Sequence, residues 1–257
     1  MTAKNAFYAQ SGGVTAVINS SACGVIETAR QHPDKIANVY AGRNGIIGAL
    51  TEDLIDTSQE SAEDIAALKH TPSGGFGSCR FKLKSLEDNK REYERLIEIF
   101  KAHDIGYFFY NGGGDSADTC YKVSQLSEKM GFPVQAIHVP KTVDNDLPIT
   151  DNCPGYGSVA MYIAVSSLEA SYDVRSMAAT STKIFVIEVM GRHAGWIAAA
   201  GGLVEDNGIP VVVLFPEVEF DQEKFLAKVD EKVKEYGYCT IVVSEGTHWP
   251  DGKFLAE

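Results

Sequence analysis

Seven consecutive residues, Pro140-Lys141-Thr142-Val143-Asp144-Asn145-Asp146, bring a cation, a hydroxyl and two carboxylates into one short stretch directly after an apolar run. In an extended segment Asp144 and Asp146 share one face, and Lys141 and Thr142 can donate to an anion beside them. These are the parts that phosphoryl transfer needs: charge neutralisation, an anchor for the transferred group, a metal-binding carboxylate and a base for the attacking hydroxyl. The same Asp-Asn-Asp stretch, with Pro148 after it, is also good turn chemistry.

Other loops follow apolar runs in the same way. Ser11-Gly12-Gly13 leads into a helical pattern that includes Ala16 to Ala29, so its backbone N–H groups are expected to approach an anion at a helix N-terminus. Asn111-Gly112-Gly113-Gly114-Asp115-Ser116-Ala117 meets the dinucleotide pattern G-x-G-x-x-A. A dinucleotide site also wants an acidic residue closing the next strand, and that strand ends in Pro140 and Lys141. Asp115 would repel a bare pyrophosphate, an objection that a bridging metal ion removes. Alternatively Asp115 or Ser116 caps the helix that follows.

Met190-Gly191-Arg192-His193 sets Arg192 to open the next helix, where its planar fork suits a phosphate or carboxylate. In Ser244-Glu245-Gly246-Thr247, Glu245 can accept from sugar hydroxyls or cap a turn. Away from these strands, the segment from Gly74 to Lys82 packs three glycines with Arg80 and Lys82, a local positive spot. The six histidines show no metal-ligand spacing, and no nucleophile elbow is present.

Seven apolar runs must carry these loops: 5–10, 36–41, 105–111, 134–140, 183–189, 209–215 and 240–245 all read as buried strands. Helical patterns lie between them. The clearest runs from about Leu86 to Ala102, where Leu86, Tyr93, Leu96, Ile97 and Phe100 form one apolar stripe. Continuous apolar strands alternating with helices imply a parallel sheet covered on both faces, so the fold class is α/β. The turn-rich stretch from Asn145 to Gly157 places a domain boundary near Gly155, giving 1–154 and 155–257.

Lys plus Arg number 23 and Asp plus Glu 35, a net charge of −12 over 257 residues. That balance argues against nonspecific binding to nucleic acid or to an anionic membrane, and any bound anion has to meet a local basic cluster. The 5 cysteines include no C-x-x-C pair, which fits a reduced chain. No signal-peptide pattern or membrane-length apolar run appears, so a cytoplasmic location is expected.

Together, Ser11-Gly12-Gly13, Ser78-Cys79-Arg80-Phe81-Lys82, the Gly112–Ser116 loop, the segment from Pro140 to Gly157 and Glu188-Val189-Met190-Gly191-Arg192 resemble the phosphofructokinase family, specifically its pyrophosphate-dependent branch. The resemblance implies two Rossmann-like three-layer domains with mainly parallel sheets, the second incomplete in this chain. It implies reversible transfer of a phosphoryl group from pyrophosphate to the 1-hydroxyl of fructose 6-phosphate, a step of glycolysis that uses Mg²⁺. Asp144 then resembles the general base, Thr142 holds the transferred group, and Lys141 neutralises the departing phosphate. Gly12, Gly13, Arg80, Gly113, Gly114, Asp115 and Ser116 resemble the donor side. Met190, Gly191, Arg192 and Glu245, with Thr142, Asp144 and Asp146, resemble the sugar-phosphate side. Lys183 stands where the family has a basic residue reaching a neighbouring subunit's substrate, which implies a homodimer or homotetramer.

Two departures from the family stand out. Gly114 occupies the position of the usual metal-binding Asp and the next residue is Asp115, so Asp115 and Asp146 are the metal candidates. The family's later G-H-x-Q-R-G-G segment is absent, and the chain resembles a truncated member. Two rivals remain: an ATP-dependent phosphofructokinase, and a sensor that binds a phosphosugar or nucleotide without turnover.

Overall fold

A computed structural model of the chain describes residues 2–81, 83, 85 and 87–256. The chain divides into two compact units at the Thr142–Val143 bond.

The first unit is organised by strand β1 (Lys4–Ser11), in which Ala6, Phe7, Tyr8 and Ala9 are all buried. Side chains alternate across a strand, so Phe7 and Ala9 enter one apolar cluster and Ala6 and Tyr8 another. The elements that follow are α1 (Ile18–Gln31), β2 (Ile36–Gly42), α2 (Ile46–Thr51), β3 (Leu54–Asp56), α3 (Ala62–Ala67) and β4 (Ser78–Cys79). Then come α4 (Lys90–Ala102), β5 (Ile105–Gly112), α5 (Gly114–Lys129) and β6 (Gln135–Pro140). The strand order is β3-β2-β1-β5-β6, with β4 paired to β1. Of these pairings only β2 with β3 is antiparallel. Residues from α2, α4 and α5, among them Ile46, Leu96, Phe100 and Val123, pack with Phe7, while Ala22, Cys23 and Ile26 of α1 and Ile65 of α3 pack with Tyr8. Helices therefore cover both faces of the sheet.

The second unit holds α6 (Tyr156–Met177), β7 (Ile184–Val189), α7 (Trp196–Gly202), β8 (Val211–Leu214), α8 (Gln222–Tyr236) and β9 (Cys239–Ser244). Its strands are parallel in the order β7-β9-β8. Val174 of α6 and Ile197 and Ala198 of α7 pack with Val242 of β9, whereas Val229 of α8 packs with Cys239 and Ile241. Adjacent strand residues again feed two opposite clusters.

All seven expected strands are present, and the mostly parallel α/β architecture is the one foreseen. The structure differs in several details. The turn-rich stretch expected to end the first domain at 154 packs with the second unit instead. Val143 joins the second unit's core, and Asn145 ties the loop, accepting from the Cys153 N–H at 2.7 Å and donating to the Asp151 carbonyl at 3.2 Å. Strands β6 and β7 are not buried, because both are edge strands and residues such as Ile137, Ile184 and Val186 remain exposed. Helix α4 starts at Lys90, since the Asp88 N–H donates to Ser85 Oγ in a turn before it; Leu86 lies outside the described residues. Strands β3 and β4 are too short for any periodicity to reveal. Among the described residues no helix is long and apolar enough to cross a membrane.

Candidate active site

In the first unit the chain moves from β1 to β2 on one side and from β5 to β6 on the other, so strand order reverses between β1 and β5. Ligands of open α/β sheets bind beyond the carboxyl ends of such a strand pair. Ser11 ends β1, and Ser116 lies in the first turn of α5; the Ser116 hydroxyl donates to Ser11 Oγ at 2.8 Å. Gly112 makes that approach possible, because a Cβ there would stand 2.1 Å from Ser116 Oγ. Gly113 is the N-cap of α5, and no side chain caps the helix. Asp115 and Ser116 thus sit inside the first turn rather than capping it, Asp115 exposed and Ser116 buried.

Gly12 adopts φ +76°, a left-handed conformation. Its N–H donates to the Cys79 carbonyl at 2.9 Å, and its own carbonyl accepts from Ser78 Oγ at 2.7 Å. Helix α1 begins only at Ile18, after a non-helical segment. The expected helix that includes Ala16 is therefore corrected, and Gly12 and Gly13 do not lie on a helix N-terminus. Their positive surroundings come from side chains instead. A Cβ on Gly12 would lie 3.3 Å from Lys141 Nζ, and one on Gly13 would lie 3.4 Å from an Arg80 guanidinium nitrogen. Lys141 is largely buried and its N–H donates to the Gly112 carbonyl at 3.0 Å, which fixes the base of the side chain beside the α5 loop. Gly12, Gly13, Arg80, Gly113 and Lys141 are thus brought together, with Gly114, Asp115 and Ser116 continuing from Gly113. Lys82, the other foreseen cation of this loop, lies outside the described residues. Nearby Tyr110 stays neutral, its pKa pushed up to about 12 by burial.

In the second unit the ends of β7 and β9 interlock. Val189 pairs with Ser244, the Glu245 N–H donates to the Val189 carbonyl at 2.8 Å, and the Ser244 hydroxyl donates to the Gly191 carbonyl. The Gly191 N–H donates to Glu245 Oε1 at 3.4 Å. Gly191 has φ +130°, and an added Cβ would meet the Ala194 carbonyl at 2.4 Å. Met190, Gly191, Arg192 and Glu245 therefore form one cluster. Arg192 does not open a helix as expected: α7 starts at Trp196 behind the N-cap Gly195, whose N–H donates to Glu217 Oε1 at 2.8 Å. The Arg192 guanidinium instead lies 6.0 Å from the centroid of the Phe254 ring.

Lys183 precedes β7, at the end opposite to Met190–Arg192, and six strand residues at about 3.3 Å each put roughly 20 Å between them. Lys183 is not brought to this cluster within one chain. The extended arrangement foreseen for Asp144 and Asp146 is also corrected. Asn145 between them has φ +57°, so the two carboxylates do not follow strand alternation; Asp144 is half-buried and Asp146 exposed. Thr142, half-buried, is the last residue of the first unit. Glu217, which holds the Gly195 backbone, carried no signal of its own in the sequence, and Ser244, which holds Gly191, stood in the strand-end loop singled out there without a role assigned to it. Among the described residues no three His, Cys, Asp or Glu side chains converge on a metal position.

Glycine-lined strand ends flanked by cations stand in an α/β scaffold with a second cluster built on Gly191, Arg192 and Glu245. The phosphofructokinase family model matches residues 5–257, and the chain belongs to that family. It is 76% identical over 259 residues to the pyrophosphate–fructose 6-phosphate 1-phosphotransferase of Methylococcus capsulatus, and 71% identical to that of Halomonas elongata. The match takes in 100% of this chain and 62% of each of those proteins. The crystal structure of a pyrophosphate-dependent phosphofructokinase from Nitrosospira multiformis superposes with a TM-score of 0.91 at 75% identity, covering 97% of this chain and 62% of that one. The chain thus spans less than two thirds of the length of the relatives it matches.

Proposed function

We propose that the protein transfers a phosphoryl group reversibly from pyrophosphate to the 1-hydroxyl of fructose 6-phosphate, giving fructose 1,6-bisphosphate and phosphate in glycolysis. The observation that carries this reading is the placement of Lys141 Nζ and the Arg80 guanidinium against the Gly12-Gly13 backbone. Two cations over a glycine pair suit a small, highly charged donor. The names of relatives 76% and 71% identical point the same way.

In this reading the first unit, residues 1–142, binds the donor and the second, residues 143–257, the sugar phosphate. The Asp144 carboxylate takes the proton of the 1-hydroxyl as its oxygen bonds to the terminal phosphorus of pyrophosphate. The bond from that phosphorus to the bridging oxygen breaks, and phosphate leaves with its charge neutralised by Lys141 and Arg80. Thr142 donates to the transferred group. Met190, Gly191, Arg192 and Glu245 hold the sugar phosphate, Glu245 accepting from sugar hydroxyls. Mg²⁺ fits the donor set, because that ion is usually held by one or two carboxylates together with substrate phosphates. The candidates to hold it are Asp115 in the first unit and Asp146 in the second, and it would supply charge neutralisation at the phosphates.

Lys183, remote from its own chain's cluster, serves a neighbouring subunit's substrate in a homodimer or homotetramer. The enzyme acts in the cytoplasm on small molecules, with no nucleic acid or membrane partner. A coupled assay of the full-length protein with pyrophosphate and with ATP tests the reading. Product with pyrophosphate supports it, ATP preference favours the ATP-dependent reading, and no product with either leaves a sensor.

A further inference from the structure

A buried polar chain runs beneath the glycine pair. Asn19, in the first turn of α1, is 1% exposed, and its amide uses all of its hydrogen-bonding capacity. Its Nδ2 donates to the Thr71 carbonyl at 2.9 Å and the Ser73 carbonyl at 2.8 Å. Its Oδ1 accepts from the Gly75 N–H at 2.7 Å and from Gln10 Nε2 at 3.0 Å. Gln10 Nε2 also reaches the Tyr8 hydroxyl at 3.4 Å; that hydroxyl donates to Asn111 Oδ1 at 2.8 Å, and Asn111 Nδ2 donates to the Val139 carbonyl at 2.9 Å. The chain therefore connects the 71–75 segment, β1, β5 and β6. The loops continuing from those elements carry Arg80, Gly12, Asp115 and Lys141.

Arg80 is exposed and sits one residue beyond β4, a strand of only 2 residues. So short a strand holds register weakly by itself. The segment before it is fixed by three backbone groups on one side chain, Asn19, and by the turn in which the Gly77 N–H donates to the Gly74 carbonyl at 2.9 Å. Gln10 is two residues from Gly12, so Asn19 gauges the loop directly against the glycine pair.

We propose that Asn19 is a positioning residue, setting the 71–79 segment so that the Arg80 guanidinium stands over Gly13. Asn19 touches no substrate; it acts through Arg80. The proposal rests on the reading of Arg80 as a pyrophosphate ligand.

The test uses the full-length protein with Asn19→Ala, Arg80→Ala and the double substitution. Loss of the anchors raises KM for pyrophosphate about tenfold in Asn19→Ala, the scale of a mispositioned binding group. KM for fructose 6-phosphate stays within about twofold of wild type. In the Arg80→Ala background the Asn19 substitution adds nothing further, because the two residues act as one unit. Additive effects, or equal rises in both KM values, overturn the proposal, since a merely structural loss would act on every parameter alike. A second measurement does not depend on turnover: amide hydrogen exchange across 71–79 accelerates in Asn19→Ala, and unchanged exchange there also overturns the proposal. If Asn19→Ala does not fold, Asn19→Asp replaces it; its carboxylate still accepts from Gly75 and Gln10 but cannot donate to Thr71 and Ser73, and the same outcomes apply. Failure of the pyrophosphate reading is seen separately, as an unsubstituted protein that uses no pyrophosphate, and the exchange measurement then decides for or against Asn19.

Discussion

The ammonium of Lys141 stands over the Cα of Gly12: a side chain beginning at Gly12 would place its Cβ 3.3 Å from Lys141 Nζ. Under the proposed function the donor anion occupies the space between them. Gly12→Ala would enter that space and would also force a Cβ into φ +76°. A left-handed non-glycine residue costs about 1–2 kcal/mol. The expected outcome is a loss of a few degrees in Tm with a rise of about tenfold or more in KM for pyrophosphate, while KM for fructose 6-phosphate is preserved. Steady-state kinetics with each substrate varied in turn checks it, and an unchanged pyrophosphate KM removes Gly12 from the donor site.

Asp144 and Asp146 are distinguished by their surroundings, the first half-buried and the second exposed beyond a left-handed Asn145. Asp144→Asn is expected to keep fold and substrate affinity while kcat falls by about 10²–10⁴, the usual contribution of a positioned acid–base group. A loss below about fivefold assigns the base elsewhere. Asp146→Asn is expected to raise the Mg²⁺ concentration needed for half-maximal rate. A change in thermal stability alone would reduce the Asp-Asn-Asp stretch to turn chemistry.

The parallel α/β architecture was legible because strands such as β1 and β5 are buried on both faces and leave continuous apolar runs bounded by glycine loops. The site loops were legible for the same reason: chemistry follows strand ends, so Ser11-Gly12-Gly13, Gly113–Ser116 and Met190–Arg192 could be found from the strands before them. Interruptions of regular structure were not. Nothing in Ser11-Gly12-Gly13 announces that four residues separate Gly13 from α1, and nothing in Met190–Arg192 announces the delay before α7. In both places the backbone groups are taken up by another strand, through Cys79 for Gly12 and Ser244 for Gly191, and such pairings are non-local. Asn19 was hidden similarly. A single Asn beside Ile18 and Ala22 looks like a defect in an apolar stripe until the 71–75 segment is folded against it.

Three tyrosines of the first unit, Tyr8, Tyr93 and Tyr110, are fully buried, and burial raises all three phenol pKa values, for Tyr93 and Tyr110 to about 12. In the unfolded chain these groups ionise near their ordinary value of 10.0. The folded state holds the proton more tightly, so its advantage is complete below that pH and is lost as pH rises toward the folded values. Stability should therefore stay nearly flat through neutral pH and fall steeply from about pH 10 to 12. Denaturant midpoints measured across that range test this. Tyr110→Phe should make the decline shallower, and an unchanged slope would mean that Tyr110 ionises without unfolding the protein.

Under the proposed function, donor choice is expected to depend on Asp115 and Lys141 together. Asp115 lies exposed in the first turn of α5, directly after the glycines at the end of β5, and Lys141 reaches back over Gly12. A donor entering along these glycines would meet the Asp115 carboxylate, and the extra phosphate of a nucleotide would be both crowded and repelled there. In the proposed function the Lys141 ammonium neutralises the phosphate that leaves, a task the longer ATP chain and its metal would otherwise share. The decisive variant is Asp115→Gly combined with Lys141→Gly, assayed with both donors against the unsubstituted protein. Pyrophosphate activity is expected to fall by at least about 10²-fold, the scale of losing one preorganised charge at the reacting group, and weak ATP activity is expected to emerge. An unsubstituted protein that already prefers ATP would sink the assignment, and a double variant that keeps its pyrophosphate rate would place donor selection on other residues.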